Sequence, residues 1–295
     1  MLLPAALLSQ TAPVTSHYLL NPITINPALA GQRGALNISL FYRSQWVGID
    51  GAPETATFAI DAPFSYSKLG VALIITSDRI GVTKKNRFST YYAYKINMGE
   101  GSFSLGLGAG VVTINSAWSD LSADDPGDDA YLINSPVFIV PSFKFGVYYS
   151  HKNFFAGISV PELTESIFDY GKNKYDLTFD PEQYHYLLHT GFMLNLSQKF
   201  VFSPSTLVTY SAGEDLLYDI NTHFNVADRL WLGVSYRNKR SVGGLIQIAV
   251  NQQFKVAYLY DVDIGTLGRY TNGSHEVMLS YEFHYRVKAV NQLIF

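Results

Sequence analysis

The 295-residue chain contains no cysteine. That excludes a disulfide scaffold, a thiolate metal site and a lipidated cysteine, and it is compatible with an oxidising envelope compartment. Charge is scarce too. Asp, Glu, Lys and Arg make up 15 % of the residues, against roughly 25 % in soluble proteins. The formal net charge of -3 gives no sign of a nucleic-acid partner. No apolar run approaches the roughly 18–20 residues of a membrane-spanning helix. Aromatics, by contrast, are plentiful, with 21 Tyr and 19 Phe. Little charge, many aromatics and no helical span point to a transmembrane β-barrel. A soluble two-sheet β protein is the alternative.

From Leu36 onward the hydrophobic pattern has a period of two. Phe103, Leu105, Leu107, Ala109 and Val111 alternate with Ser102, Ser104, Gly106, Gly108 and Gly110. Ile220, Thr222, Phe224 and Val226 alternate with Asp219, Asn221, His223 and Asn225, and Val277, Leu279 and Tyr281 alternate with Glu276, Met278 and Ser280. Successive strand side chains point to opposite faces, so one face suits lipid or a core and the other suits water. About fourteen such segments fit between residues 35 and 286, an even number as single-chain bacterial barrels require.

Loop lengths separate the two architectures. Every second connection is tiny, as at Gly99-Glu100, Lys152 and Ala227-Asp228. Most of the intervening ones are longer: 44–53, 79–86, 114–136, 161–183 and 263–273. Short turns at one end and long loops at the other characterise a membrane barrel, whereas a sandwich has no reason to sort loops by parity. The fold expected is therefore all-β: a transmembrane, antiparallel, up-and-down barrel of about fourteen strands over 34–295. A barrel this wide is not filled by its own wall side chains.

Two segments precede it. Residues 1–10 resemble the end of a secretory signal peptide whose basic beginning is missing, and so read as truncated. Residues 11–33 have no strand period. Their Asn-Pro pairs start turns, and they carry Leu19, Leu20, Ile23, Ile25 and Leu29. This irregular arm is a candidate plug or periplasmic cap for the barrel.

No Gly-x-Ser-x-Gly elbow, His-Glu-x-x-His pair or phosphate loop is present. The sequence thus nominates no catalytic residue, metal ligand set or cofactor, and the chain reads as a binding protein rather than an enzyme. The acidic run 120–129 does not fit the spacing of an EF-hand. It reads as a solvated external loop, with calcium binding as the alternative. His185 and His189, on a strand, stand too far apart for one ion and read as lumen-facing.

The densest run of special residues is Arg43-Ser-Gln-Trp-Val-Gly-Ile-Asp-Gly-Ala-Pro-Glu-Thr55. Glycines and a proline fix its backbone course, and Arg43 brings a rigid fork of donors. Such a loop is suited to holding another loop, the arm or a partner in place.

Read together, Tyr18, Asn21, Pro22, Asn26, Pro27, Ala28, Ala30 and Gly31, then Arg43, Gln45, Trp46, Gly48, Gly51, Ala52, Pro53 and Thr55, form a pattern that resembles the PorP/SprF family. Asp78-Arg-Ile-Gly81 is similar as well. The resemblance implies an outer-membrane protein of the type IX secretion system that supports export and surface attachment of cargo with a C-terminal sorting domain, such as a gliding adhesin. It also implies outer-membrane lipid around the barrel and association with a periplasmic lipoprotein ring and motor components. A channel for a small or apolar solute is the alternative function.

Overall fold

In the computed structural model, described for residues 16–64, 68–120, 134–169 and 174–283, the chain forms a closed antiparallel barrel. Its strands are β1 (Leu36–Ser44), β2 (Glu54–Pro63), β3 (Leu69–Ile80), β4 (Thr83–Met98), β5 (Gly101–Ser116), β6 (Phe138–His151) and β7 (Phe154–Val160). A small hairpin, β8 (Glu165–Asp169) and β9 (Lys174–Thr178), interrupts the series. The wall resumes with β10 (Tyr186–Phe192), continued by the two-residue β11 (Leu194–Asn195). It is completed by β12 (Phe200–Tyr210), β13 (Leu217–Val226), β14 (Leu230–Arg237), β15 (Ser241–Ala249), β16 (Phe254–Asp263) and β17 (Ser274–Phe283). With β10 and β11 counted as one strand, fourteen strands make the wall. β7 pairs with β10, β10 with β12, and β1 with β17, so no edge is left open.

Closure follows from the surroundings such a chain is built for. Hydrocarbon offers no partner to a backbone N–H or C=O, and a sheet crosses it only when every edge is paired. The burial pattern agrees, because it is inverted relative to a soluble protein. Asn37, Ser39, Ser104, Asn221 and Glu276 are fully buried inside the ring, while Leu40, Leu107, Tyr92 and Val234 are exposed on its outside. Among the described residues no helix is long and apolar enough to cross a membrane; strands are the crossing elements.

Connections alternate as the sequence indicates, with one correction. β3 and β4 run on to Ile80 and Thr83, so the link between them is the turn Gly81-Val82 rather than a loop over 79–86. The charged run that resembles a loop is instead a polar extension of the strands. Thr55 donates to Asp78 at 2.7 Å and Arg87 donates to the same carboxylate at 2.6 Å. Such cross-strand pairs carry the ladder beyond the apolar band. A second correction concerns His185, which precedes β10 and is not part of a strand face; His189 does point into the lumen. The acidic run beyond Asp120, residues 1–15 and the end of the chain lie outside the described residues.

Leu107 is 61 % exposed near the middle of the 16-residue β5. Leu107→Arg is expected to cost about 2–4 kcal/mol of stability in lipid, measured as a lower denaturant midpoint for refolding into vesicles.

Candidate functional site: the lumen arm and the seam motif

The arm begins its course at the end of the barrel that carries the short turns. Gly34 leads into β1 there, and Gly31, at φ 67°, donates its N–H to Asp61. From that point, reading back towards residue 16, the arm climbs the inside of the wall as three 3-10 turns, Pro27–Leu29, Pro22–Thr24 and Ser16–Leu19. Each Asn-Pro pair opens a turn, as the fixed proline φ favours. Asn26 caps its own turn by accepting from Ala28 N–H at 2.9 Å, and its amide donates across to the Val147 carbonyl at 3.0 Å. Asn21 and Pro22 open the next turn. The Asn21 side chain accepts from Arg33 at 3.2 Å, which ties the end of the arm next to β1 to its middle turn.

The arm touches the wall closely because the wall is thinned for it. Gly70, Ala93, Gly106, Gly146 and Ser159 occupy directly opposed register positions on β3 to β7. A Cβ on Gly106 would lie 2.1 Å from Ala28 N, one on Gly146 2.1 Å from Asn26 Oδ1, and one on Gly70 1.9 Å from the Ala30 carbonyl oxygen. This row of small side chains is a track shaped to Asn26-Pro27-Ala28 and its neighbours. Ser159 finishes it by donating to the Ile25 carbonyl at 2.7 Å. The arm's apolar residues settle into small clusters beside the track: Ile23 with Ala59, Ala72 and Tyr91; Ile25 with Leu187 and Leu207; Leu20 with Phe41 and Met278.

Towards the long-loop end the arm meets charge. Tyr18, 1 % exposed, donates to Asp219 at 2.9 Å and accepts from Asn221 at 2.9 Å. Burial, and after it the charge of Asp219, pushes the Tyr18 hydroxyl well above its ordinary value, so it serves as a donor. Arg237 donates to the same Asp219 oxygen at 3.1 Å. Ser16 donates to Asp261 at 2.8 Å, and His17 Nδ1 bonds Glu276.

Arg43 holds both of those last carboxylates. Its guanidinium donates to Asp261 at 2.8 Å and to Glu276 at 3.1 Å, with all three side chains buried. Arg43 and Glu276 are also register partners across β1 and β17, the first and last strands. The loop that follows continues the same seam. Trp46 adopts φ 52°, and its indole N–H donates to Asp263 at 3.0 Å. Val47 N–H donates to the Gly273 carbonyl, and Asn272 N–H donates back to Val47. A Cβ on Gly48 would lie 3.3 Å from the Asn272 side-chain nitrogen. On the other side Gly81 N–H donates to the Gly51 carbonyl at 2.8 Å, and Gly51 lies at φ 72°, where a side chain is strained. Gln45 N–H donates to Pro53, and Ala52 N–H to Ile49, closing the loop on itself.

The sequence pattern thus separates into two structural groups that share a lumen. Tyr18, Asn21, Pro22, Asn26, Pro27 and Gly31 seat the arm. Trp46, Gly48, Gly51 and Thr55 stitch the first long loop and its flank to their neighbours, Gln45, Ala52 and Pro53 close the loop on itself, and Arg43 joins the groups. The residues that receive them, Asp61, Asp219, Arg237, Asp261 and Glu276, were not singled out by spacing. Their one signal is charge placed on the polar phase of a strand. Among the described residues no group of three or more His, Asp or Glu could hold a metal.

A closed fourteen-strand wall, apolar outside and polar within, defines the class of outer-membrane β-barrel proteins. The model of the PorP/SprF family, type IX secretion system membrane proteins, matches residues 7–281. The chain belongs to the PorP/SprF family. Among solved structures it is similar to Omp33 of Acinetobacter baumannii, at 11 % identity and TM-score 0.48, covering 85 % of this chain and 99 % of that one. A TodX mutant, a monoaromatic hydrocarbon channel, matches at 11 % identity and TM-score 0.49, covering 92 % and 95 %. The KdgM porin matches at 8 % identity and TM-score 0.42, covering 84 % and 99 %. No curated protein matches the sequence.

Removing the guanidinium leaves two buried carboxylates without their partner. Arg43→Ala is therefore expected to lower stability by about 3–5 kcal/mol, read as a shift of the denaturant midpoint in detergent. Gly106→Leu places a side chain where the Ala28 backbone runs. It is expected to expel the arm, so that limited proteolysis cleaves residues 16–33 while the barrel fragment survives.

Proposed function

We propose that this barrel serves type IX secretion by binding protein, supporting the export and surface attachment of a cargo with a C-terminal sorting domain, such as a gliding adhesin. In this reading it sits integrally in the outer membrane with lipid around its strands, delivered there by a signal peptide. The long-loop end faces outward. The short-turn end faces the periplasm, where the lipoprotein ring and motor components would meet it. No catalytic chemistry is required.

The observation that carries the reading is the occupied lumen. Eighteen residues of the chain's own arm, 16–33, line the inside of the wall and bond to it from the short-turn end to the ion pairs near the long loops. We read the arm as a plug. A barrel stoppered by its own polypeptide is poorly suited to passing a solute and well suited to presenting fixed loops. The stitched loop 44–53, rigid on both flanks, is the surface we assign to a partner.

Deleting the gene and comparing the surface and secreted proteins tests the proposal. Loss of one large sorting-domain protein from the surface is the expected result, and an unchanged protein set would reject it. The solute-channel alternative is tested by conductance of the purified barrel in planar bilayers, where the plug reading expects no steady open pore.

A further inference from the structure

The outer face of the wall changes character twice along β4. Below, Phe88, Tyr92, Tyr94 and Met98 point outward and are exposed. The ten residues from Phe88 to Met98, at a rise of about 3.4 Å and a tilt of about 40°, span about 26 Å, the height of a barrel's apolar band. Phe88 therefore marks the edge of the hydrocarbon on the side of the long loops. The next outward row is Ser77, Asn86 and Thr113, in register across β3, β4 and β5. It is polar but satisfied within itself: Ser77 donates to Asn86 at 2.8 Å, and Asn86 donates to Thr113 at 3.3 Å.

The row above it is not. Arg79, Lys84 and Asn115 face one another across the same three strands, on the same outward side. Arg79 and Lys84 are exposed and directly opposite, a relation in which like charges cost stability. Among the described residues none of the three side chains has a hydrogen-bond or ion-pair partner. The carboxylates beside them are turned elsewhere. Glu54, opposite Arg79 on β2, is bonded by the Tyr42 hydroxyl of β1, on its far side. Asp78 points into the lumen, where Thr55 and Arg87 donate to it. Lys84 stands four residues beyond Phe88, about 10 Å above the hydrocarbon edge by the same rise and tilt. A headgroup layer is about 5–8 Å deep, so the long stems of both cations reach back into it.

We propose that Arg79 and Lys84, helped by the Asn115 amide, form a site for the phosphate of a lipid headgroup in the leaflet at the long-loop end. A phosphate lodged between the two strands offers oxygens to the guanidinium fork and to the ammonium together. It turns a repelling pair into a bridged one and fastens the β3–β4 hairpin to the membrane surface. The inference rests on the chain being an outer-membrane barrel and stands apart from which cargo or solute that barrel serves.

The full chain in an uncharged detergent is titrated with phosphatidic acid, and bound lipid is counted by native mass spectrometry. One retained lipid per barrel is expected, with its affinity lowered at least about tenfold when Arg79→Gln and Lys84→Gln are combined. Lys199→Gln with Arg229→Gln removes the same charge from exposed turns at the opposite end and is expected to leave the affinity unchanged. Without lipid, the Arg79→Gln, Lys84→Gln protein is expected to unfold at the same denaturant midpoint as the parent or a higher one, because a repulsion is gone. A lower midpoint would contradict the unpartnered pair on which the site is built. Inorganic phosphate at the lipid's concentration is expected to displace little of it; complete displacement would make this a site for a soluble anion and overturn the lipid assignment. Absence of a retained lipid, equal retention by the Arg79→Gln, Lys84→Gln protein, or an equal loss in the Lys199→Gln, Arg229→Gln protein would each overturn the proposal.

Discussion

The structure depends on one junction, the seam where the first strand meets the last. A membrane sheet is stable only if that seam closes, and ladder bonds alone do not select which strands should meet. Here the choice is reinforced from inside by Arg43, which faces Glu276 in register and reaches on to Asp261 of the neighbouring strand. It is reinforced from above by the loop bonds of Trp46 and Val47 to the β16–β17 connection. The same guanidinium anchors the carboxylates that receive Ser16 and His17. Seam and arm are thus parts of one polar network, and a change at Arg43 reaches both.

That coupling explains how a short, irregular segment is held along the inside of a wide barrel. Eighteen residues cannot build an apolar core, and the arm does not try to. It uses three small hydrophobic clusters, a backbone-to-wall track made possible by Gly70, Gly106 and Gly146, and bonds from Ser16, His17 and Tyr18 to buried carboxylates at the top. Buried charges add little net stability when fully paired and cost a great deal when one partner is lost. Here they receive Ser16 and His17 of the arm and include the register pair of the seam, Arg43 and Glu276.

Much of this was legible in the sequence. The two-residue period marked the strands because a wall between lipid and water must alternate. The parity of the loops marked the two ends. The Asn-Pro pairs announced turns, and 3-10 turns begin at both. The failures have physical causes. Charges at 78–87 resemble a loop by composition, yet Thr55, Asp78 and Arg87 satisfy one another across strands, so pairing continues. His185 fell one residue before its strand, because the boundary there is set by where β10 finds β12, at Tyr186 opposite Tyr210, and not by propensity. The small-residue track was hidden for a different reason. Glycine in a strand reads as a weakness, and only the register across β3 to β7 reveals that these positions align. The partners of the arm, Asp219, Asp261 and Glu276, are separated from it by two hundred residues or more, a distance no local pattern spans.

Hydrogen exchange of the protein in lipid vesicles tests the central claim most directly. A closed seam requires the amides of residues 36–44 and 274–283 to exchange as slowly as those of the interior strands β4 and β5. If instead both outer strands exchanged at the rate of free edges while β4 and β5 stayed protected, the sheet would be open and the account of Arg43 as its clasp would fail.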